Sequence, residues 1–217
     1  MNSAYFYQDK DIFGLDIGSS SLKVMQVNID GKKRLITGYG AASFDPNAIK
    51  DGVIVEPEII AKSIKDLFER SIIGEITTRR VSATIPASRT FNRTITIPAL
   101  ESKKELEEAL SLEAEQYIPM PIDELYLDYN IINSGDKETE IFAVAAPKKI
   151  SDSYVDLFRI CGLEPVALET SISAAGRLFV QAEQSDIPSI LIDFGTKSSD
   201  ITIYDKGLIV TGTVLGG

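Results

Sequence analysis

The stretch Leu15-Asp16-Ile17-Gly18-Ser19-Ser20-Ser21-Leu22-Lys23-Val24 returns 177 positions later as Ile192-Asp193-Phe194-Gly195-Thr196-Lys197-Ser198-Ser199-Asp200-Ile201. Each copy reads apolar, Asp, apolar, Gly, hydroxyl, any residue, Ser, and then an alternating strand. The surrounding periodicity predicts the same meander twice. In the first, Ile12 to Gly18 is a strand, Leu22 to Val27 alternates apolar and polar, Asp30-Gly31 turns, and Arg34 to Ala42 returns. In the second, Ile190 to Gly195, Asp200 to Tyr204, the turn Asp205-Lys206-Gly207 and Leu208 to Leu215 take the same parts. So long an offset is foreign to a solenoid and suits two halves of a duplicated fold.

The chemistry of the motif is coherent. Glycine lets backbone approach a ligand closely. Successive N–H groups in a tight hairpin make a concave anion site, and Ser and Thr hydroxyls add donors. An aspartate at the strand end repels phosphate, but it suits a Mg²⁺ ion that keeps its waters and takes few direct carboxylates. One copy alone is explained by turn chemistry; two copies with matched flanking strands point to a phosphate site. The expected ligand-binding residues are Asp16, Gly18, Ser19, Ser20, Ser21 and Lys23, with Asp193, Gly195, Thr196, Lys197 and Ser198. Asp16 and Asp193 are expected to hold the metal through water.

Bulk properties narrow the function. The chain has 217 residues, 44% hydrophobic and 25% charged, an ordinary globular composition. Its net charge of -10 opposes binding to nucleic acid or anionic lipid. That charge serves solubility, or recruits a basic partner. There is no histidine, which excludes Ser-His-Asp and Cys-His catalysis within the chain. The single cysteine, Cys161, rules out an internal disulfide and reads as a small core residue. The first ten residues are too polar for a signal peptide, and no apolar run approaches the about 18 residues of a spanning helix. A cytoplasmic protein without direct membrane insertion is expected.

Between the repeats, Pro57 is placed to start a helix whose apolar face is Ile60, Ile64, Leu67, Phe68 and Ile72, ending at Gly74. Arg80 to Ile85 reads as a strand. Residues 88–165 then predict a strand (Thr90 to Ile97), a helix capped by Ser102 and Glu105, strands at Leu125 to Ile132 and Glu140 to Ala146, and a helix from Ile150 to Cys161. A short strand, Pro165 to Glu169, precedes a helix capped by Ser171.

The paired motifs resemble the two phosphate motifs of the actin-like ATPase superfamily. The stretch Leu112 to Tyr129, with Asp51-Gly52-Val53-Ile54 and Val81-Ser82-Ala83-Thr84-Ile85-Pro86, resembles the PilM family of type IV pilus assembly proteins. The resemblance implies an α/β, ribonuclease H-like fold. It implies subdomain 1A at 1–87 plus 166–185, an inserted 1C at 88–165, and the beginning of 2A at 186–217. It also implies a connecting motif, in which Glu169 orients a water or the hydrated metal; the competing reading is a carboxylate stabilised at a helix N-terminus. The motif's proline is missing from Glu169-Thr170-Ser171, which argues against efficient hydrolysis. Gly216-Gly217 falls where a phosphate-contacting turn is expected, in a chain expected to be truncated relative to its family.

The resemblance also implies a cytoplasmic scaffold with a cleft for ATP and Mg²⁺, at most a weak ATPase. It would be held at the inner membrane by the N-terminal peptide of a PilN-type protein and would meet other pilus machinery proteins. An FtsA-like division protein and a sugar-kinase-like enzyme are the alternatives within the superfamily.

Overall fold

The computed structural model describes residues 10–31, 33–99, 102–182, 188–196, 198–205 and 208–215. The chain opens with the meander: β1 (Phe13–Ile17), β2 (Ser21–Asp30) and β3 (Lys33–Ser43). A short hairpin, β4 (Ile49–Lys50) and β5 (Val53–Ile54), leads into α1 (Pro57–Arg70), followed by β6 (Ile73–Gly74) and β7 (Arg80–Ile85). Next come β8 (Phe91–Pro98), α2 (Lys103–Tyr117), β9 (Leu125–Ser134), β10 (Glu138–Pro147) and α3 (Lys148–Ile160). Finally β11 (Glu164–Thr170), α4 (Ser171–Ala182), β12 (Ser189–Phe194), β13 (Ser198–Asp205) and β14 (Leu208–Leu215) complete the described chain.

Among the described residues, these strands build three sheets of three or more members. The largest runs β11-β7-β1-β2-β3-β6, parallel across β11, β7 and β1 and antiparallel from β1 through β3. Alternation decides its faces. Phe13, Leu15 and Ile17 of β1 and Val81, Ala83 and Ile85 of β7 are buried in one core with Ile60, Ile64 and Leu67 of α1. Asp16 and Thr84 fall on the opposite face. Gln26, fully buried on β2, satisfies its amide on the loop that leads into β7. Its Nε2 donates to Thr77 Oγ1 at 2.9 Å and its Oε1 accepts the Thr77 N–H at 2.8 Å.

The second sheet, β8-β10-β9, is antiparallel and packs α2 through Leu106 and Leu110 onto Ile95, Ile97 and Ile141. The capping box forms as expected: the Glu105 N–H donates to Ser102 Oγ at 3.2 Å, and the Ser102 N–H to Glu105 Oε2 at 3.3 Å. α3 does not join this small core. Its Ile150, Tyr154, Leu157 and Phe158 are buried in the core of the large sheet, so the predicted five-element unit divides its helices between two cores. The third sheet is the second meander, β12-β13-β14.

Two expectations need correction. α1 stops at Arg70, before Ile72, because Ser71 leaves the helical region; Gly74 instead takes φ +80 inside β6 and pairs with Gly38 of β3. The cap of α4 is Thr170 rather than Ser171. Thr170 Oγ1 accepts the Ser173 N–H at 3.1 Å, whereas Ser171 Oγ accepts the Ala87 N–H at 3.4 Å.

Burial predicts the cost of truncation. Leu67 is 1% exposed and Leu112 65%. Leu67→Ala is expected to lower the unfolding free energy in urea by about 2–5 kcal/mol, and Leu112→Ala by less than about 0.5 kcal/mol.

Candidate functional site

The two repeats fold into hairpins of identical register. Asp16 pairs with Lys23 across β1 and β2, and Asp193 with Asp200 across β12 and β13, so equivalent positions 177 residues apart occupy equivalent places. Ile17 opposite Leu22 is matched by Phe194 opposite Ser199. Both hairpins line one cleft of about 650 Å³. From the first come Asp16, Gly18, Ser19, Ser21 and Lys23; from the second, Asp193, Gly195, Thr196 and Asp200. Ser20 is not among the lining residues; its carbonyl accepts the Phe44 N–H at 2.9 Å. Ser198 begins β13. Lys197, Gly216 and Gly217 lie outside the described residues.

Gly18 closes the first hairpin, and its own N–H is consumed there, donating to the Ser21 carbonyl at 2.8 Å. A Cβ at Gly18 would come within 3.2 Å of that same oxygen. A side chain at Gly18 would have to move that carbonyl by a few tenths of an ångström. As a donor to an anion its amide is already committed.

Asp16 is held on two sides. Thr84 Oγ1 donates to its Oδ1 at 2.8 Å, and Lys23 Nζ lies 3.2 Å from its Oδ2. These contacts follow from sheet register, since Asp16 is the partner of Thr84 on β7 and of Lys23 on β2. Glu169 of β11 pairs with Thr84 on its other side, so Glu169, Thr84, Asp16 and Lys23 form one row across four strands. Glu169 is not among the residues that line the cleft. The second hairpin differs in charge. Where the first sets Lys23 beside Asp16, the second sets Asp200 beside Asp193.

Sequence reading missed the far wall. Lys50, Asp51 and Gly52 of the β4–β5 hairpin, Ser88 and Arg89 after β7, Thr84, and Tyr154 of α3 all line the cleft. Asp51 and Gly52 both have positive φ, +50 and +83. A Cβ at Gly52 would approach Arg89 Cγ at 2.9 Å and Ile150 Cδ1 at 3.2 Å, so the turn is tight against its neighbours. Arg89 donates to Asp51 Oδ1 at 2.8 Å, fastening that turn. Asp-Gly between Ile49-Lys50 and Val53-Ile54 is a hairpin signal available from sequence; the placement of the hairpin on a cleft is not. A second concavity, about 360 Å³, lies between β8 and α2, where Arg93 stacks over the Tyr117 ring at 4.9 Å. Among the described residues, no group of three or more carboxylates, thiols or imidazoles forms a metal cage.

A six-stranded mixed sheet with a second, repeated meander, facing it across a cleft, is the architecture of the actin-like ATPase fold. Within that class the chain belongs to the family of the type IV pilus assembly protein PilM, whose model matches residues 14–211. A solved PilM–PilN type IV pilus biogenesis complex contains a chain that is 24% identical, with a TM-score of 0.84; the match covers 96% of the present chain and 62% of that one. The cytoplasmic domain of EpsL, an inner membrane component of the type II secretion system of Vibrio cholerae, matches with TM-score 0.58 at 10% identity, over 94% of this chain and 71% of that one. A Bacteroides thetaiotaomicron protein with an actin-like ATPase fold and unknown function gives 0.51 at 10% identity, covering 100% and 74%. The chain thus spans 62% of the length of the chain it matches in that complex. Among the described residues no helix is long and apolar enough to cross a membrane.

Cys161 ends α3, packs against the large core and stands apart from the cleft lining. Burial disfavours its thiolate and pushes the thiol up to about 11. At pH 8 roughly 0.1% is thiolate, and alkylation by iodoacetamide is expected to be correspondingly slow. The rate should climb about tenfold per pH unit until near pH 11; a plateau near pH 9 would show an ordinary exposed thiol.

Proposed function

We propose that this protein is a nucleotide-binding scaffold of the type IV pilus machinery, taking Mg·ATP into the cleft between its two hairpins. The observation that carries this reading is the convergence of Asp16–Lys23 and Asp193–Asp200, in the same register, on one cleft. The volume lies within the range of small-molecule sites, and Ser19, Ser21 and Thr196 bring hydroxyl donors. The donor set also fits magnesium. Mg²⁺ keeps most of its waters and takes one or two carboxylates plus substrate phosphates, so a protein cage is not required. Of the two aspartates, Asp193 is the better seat, because Lys23 already balances Asp16. When bound, the metal would neutralise phosphate charge. Glu169 is proposed to act on water only through the row it shares with Thr84 and Asp16.

Within this scaffold, subdomain 1A is assigned to 1–87 and 166–185, 1C to 88–165, and 2A from 186 onward. The partner is proposed to be the N-terminal peptide of a PilN-type inner-membrane protein. The PilM–PilN likeness supports it, and the net charge of -10 suits a peptide with arginines. Through it, and with other pilus components, the protein would act in the cytoplasm beside the inner membrane. Family membership favours this over a division protein or a sugar kinase.

Two measurements test the proposal. In titration calorimetry, Lys23→Ala and Asp193→Asn are each expected to weaken Mg·ATP at least about tenfold; full affinity in either variant would show that the hairpins do not build one site. In fluorescence anisotropy, a labelled arginine-containing PilN-type peptide should bind saturably, more weakly as salt rises. Absence of saturation would remove the partner.

A further inference from the structure

Tyr154 is a residue that neither the paired motifs nor the family match singles out. It lies on α3, 0% exposed, its ring sunk in the core of the large sheet, and it also lines the cleft together with Asp16, Ile17 and Thr84. Its position is fixed by the contact of its helix with β5. Ser153 Oγ accepts the Ile54 N–H at 3.1 Å and donates to the Ile150 carbonyl at 2.7 Å. Ile150 itself lies against Gly52. Yet the phenol oxygen, wholly buried, finds no hydrogen-bond partner among the described residues. Buried tyrosine hydroxyls normally find one, since a desolvated donor without an acceptor is costly.

Two further properties say what that partner must be. Burial, and behind it the Asp16 carboxylate, push the phenol far above its ordinary value, so it stays protonated at any physiological pH. The group is a neutral donor whose own proton has nowhere to go within the fold. What it lacks is an acceptor arriving from the cleft side. Among the described residues, three cations and four aspartates line the same cleft; Lys23 is paired with Asp16 and Arg89 with Asp51, and Lys50 is the cation placed there to accompany an anionic acceptor.

We propose that the Tyr154 hydroxyl donates a hydrogen bond to a phosphoryl oxygen of the molecule bound in the cleft, making α3 a third phosphate-contacting element beside the two hairpins. The proposal rests on the nucleotide reading above and adds to it a donor from a helix outside both repeats. Tyr154 is a binding residue here: no bond to it forms or breaks.

Tyr154→Phe in the 217-residue chain isolates the hydroxyl, because the ring still fills the core. Mg·ATP affinity by calorimetry is expected to fall roughly tenfold, the loss of one charge-assisted hydrogen bond. Inorganic tripolyphosphate, which has phosphoryl groups without base or sugar, should lose the same factor. The thermal midpoint of the unliganded variant should equal or exceed that of the parent, since an unpaired buried hydroxyl has been removed. Equal affinity in the variant and the parent would overturn the role of Tyr154 and leave the nucleotide reading standing. A lowered unliganded midpoint with unchanged affinity would assign the hydroxyl to the fold alone and overturn it too. Failure of the parent to bind either ligand would overturn both.

Discussion

The structure depends on the alternation of a single five-residue strand. β1 lies between a parallel neighbour and an antiparallel one, and its Phe13, Leu15 and Ile17 are all buried. With those three committed to the core, strand geometry leaves Asp16 no choice but the other face. Shifting the pairing by one residue would bury a carboxylate and expose three large apolar groups, so the hydrophobic core itself specifies where the charge sits. The hydrogen bond from Thr84 and the ion pair with Lys23 are then consequences of register, contributed by the two flanking strands. In the second hairpin register alone sets Asp193 beside Asp200, for Ile190, Ile192 and Phe194 of β12 are exposed.

The two hairpins share geometry and differ in charge. In the first, an ammonium stands across from the aspartate at 3.2 Å, in a half-exposed setting where the pair itself contributes little stability. It serves to leave that side of the cleft close to neutral. In the second, carboxylate faces carboxylate, an arrangement that repels unless a cation or a donor stands between them. A duplicated backbone thus carries an ion pair at one hairpin and two facing carboxylates at the other.

Much of this was legible in the sequence where the signal is local. The alternation of β1 and β2, the capping box at Ser102 and Glu105, and the repeat itself follow from residue spacing alone. What was not legible is what depends on distant neighbours. Ile72 continues the apolar spacing of α1, yet the helix ends at Arg70 because the chain must turn to pair Gly74 with Gly38. Thr170 and Ser171 are equally good caps on paper; Thr170 wins because Ser171 is engaged by Ala87 from another element. Tyr154 reads as one more apolar position on an amphipathic helix. Only the packing of α3 against the large sheet, instead of against the small one that precedes it, makes Tyr154 part of the cleft lining.

The path of the chain between β7 and β11 has a further consequence, for the order of assembly. These strands are adjacent and parallel, and Ala87 bonds Ser171 across 84 positions. Closing so wide a span has a higher entropic cost than closing a hairpin. The small sheet in between joins β9 to β10 through a turn of only a few residues. It can therefore form early, shortening the effective loop, so that β11 meets a β7 whose ends have already been drawn together. The inserted unit would in this way act as a folding aid for the sheet that it interrupts.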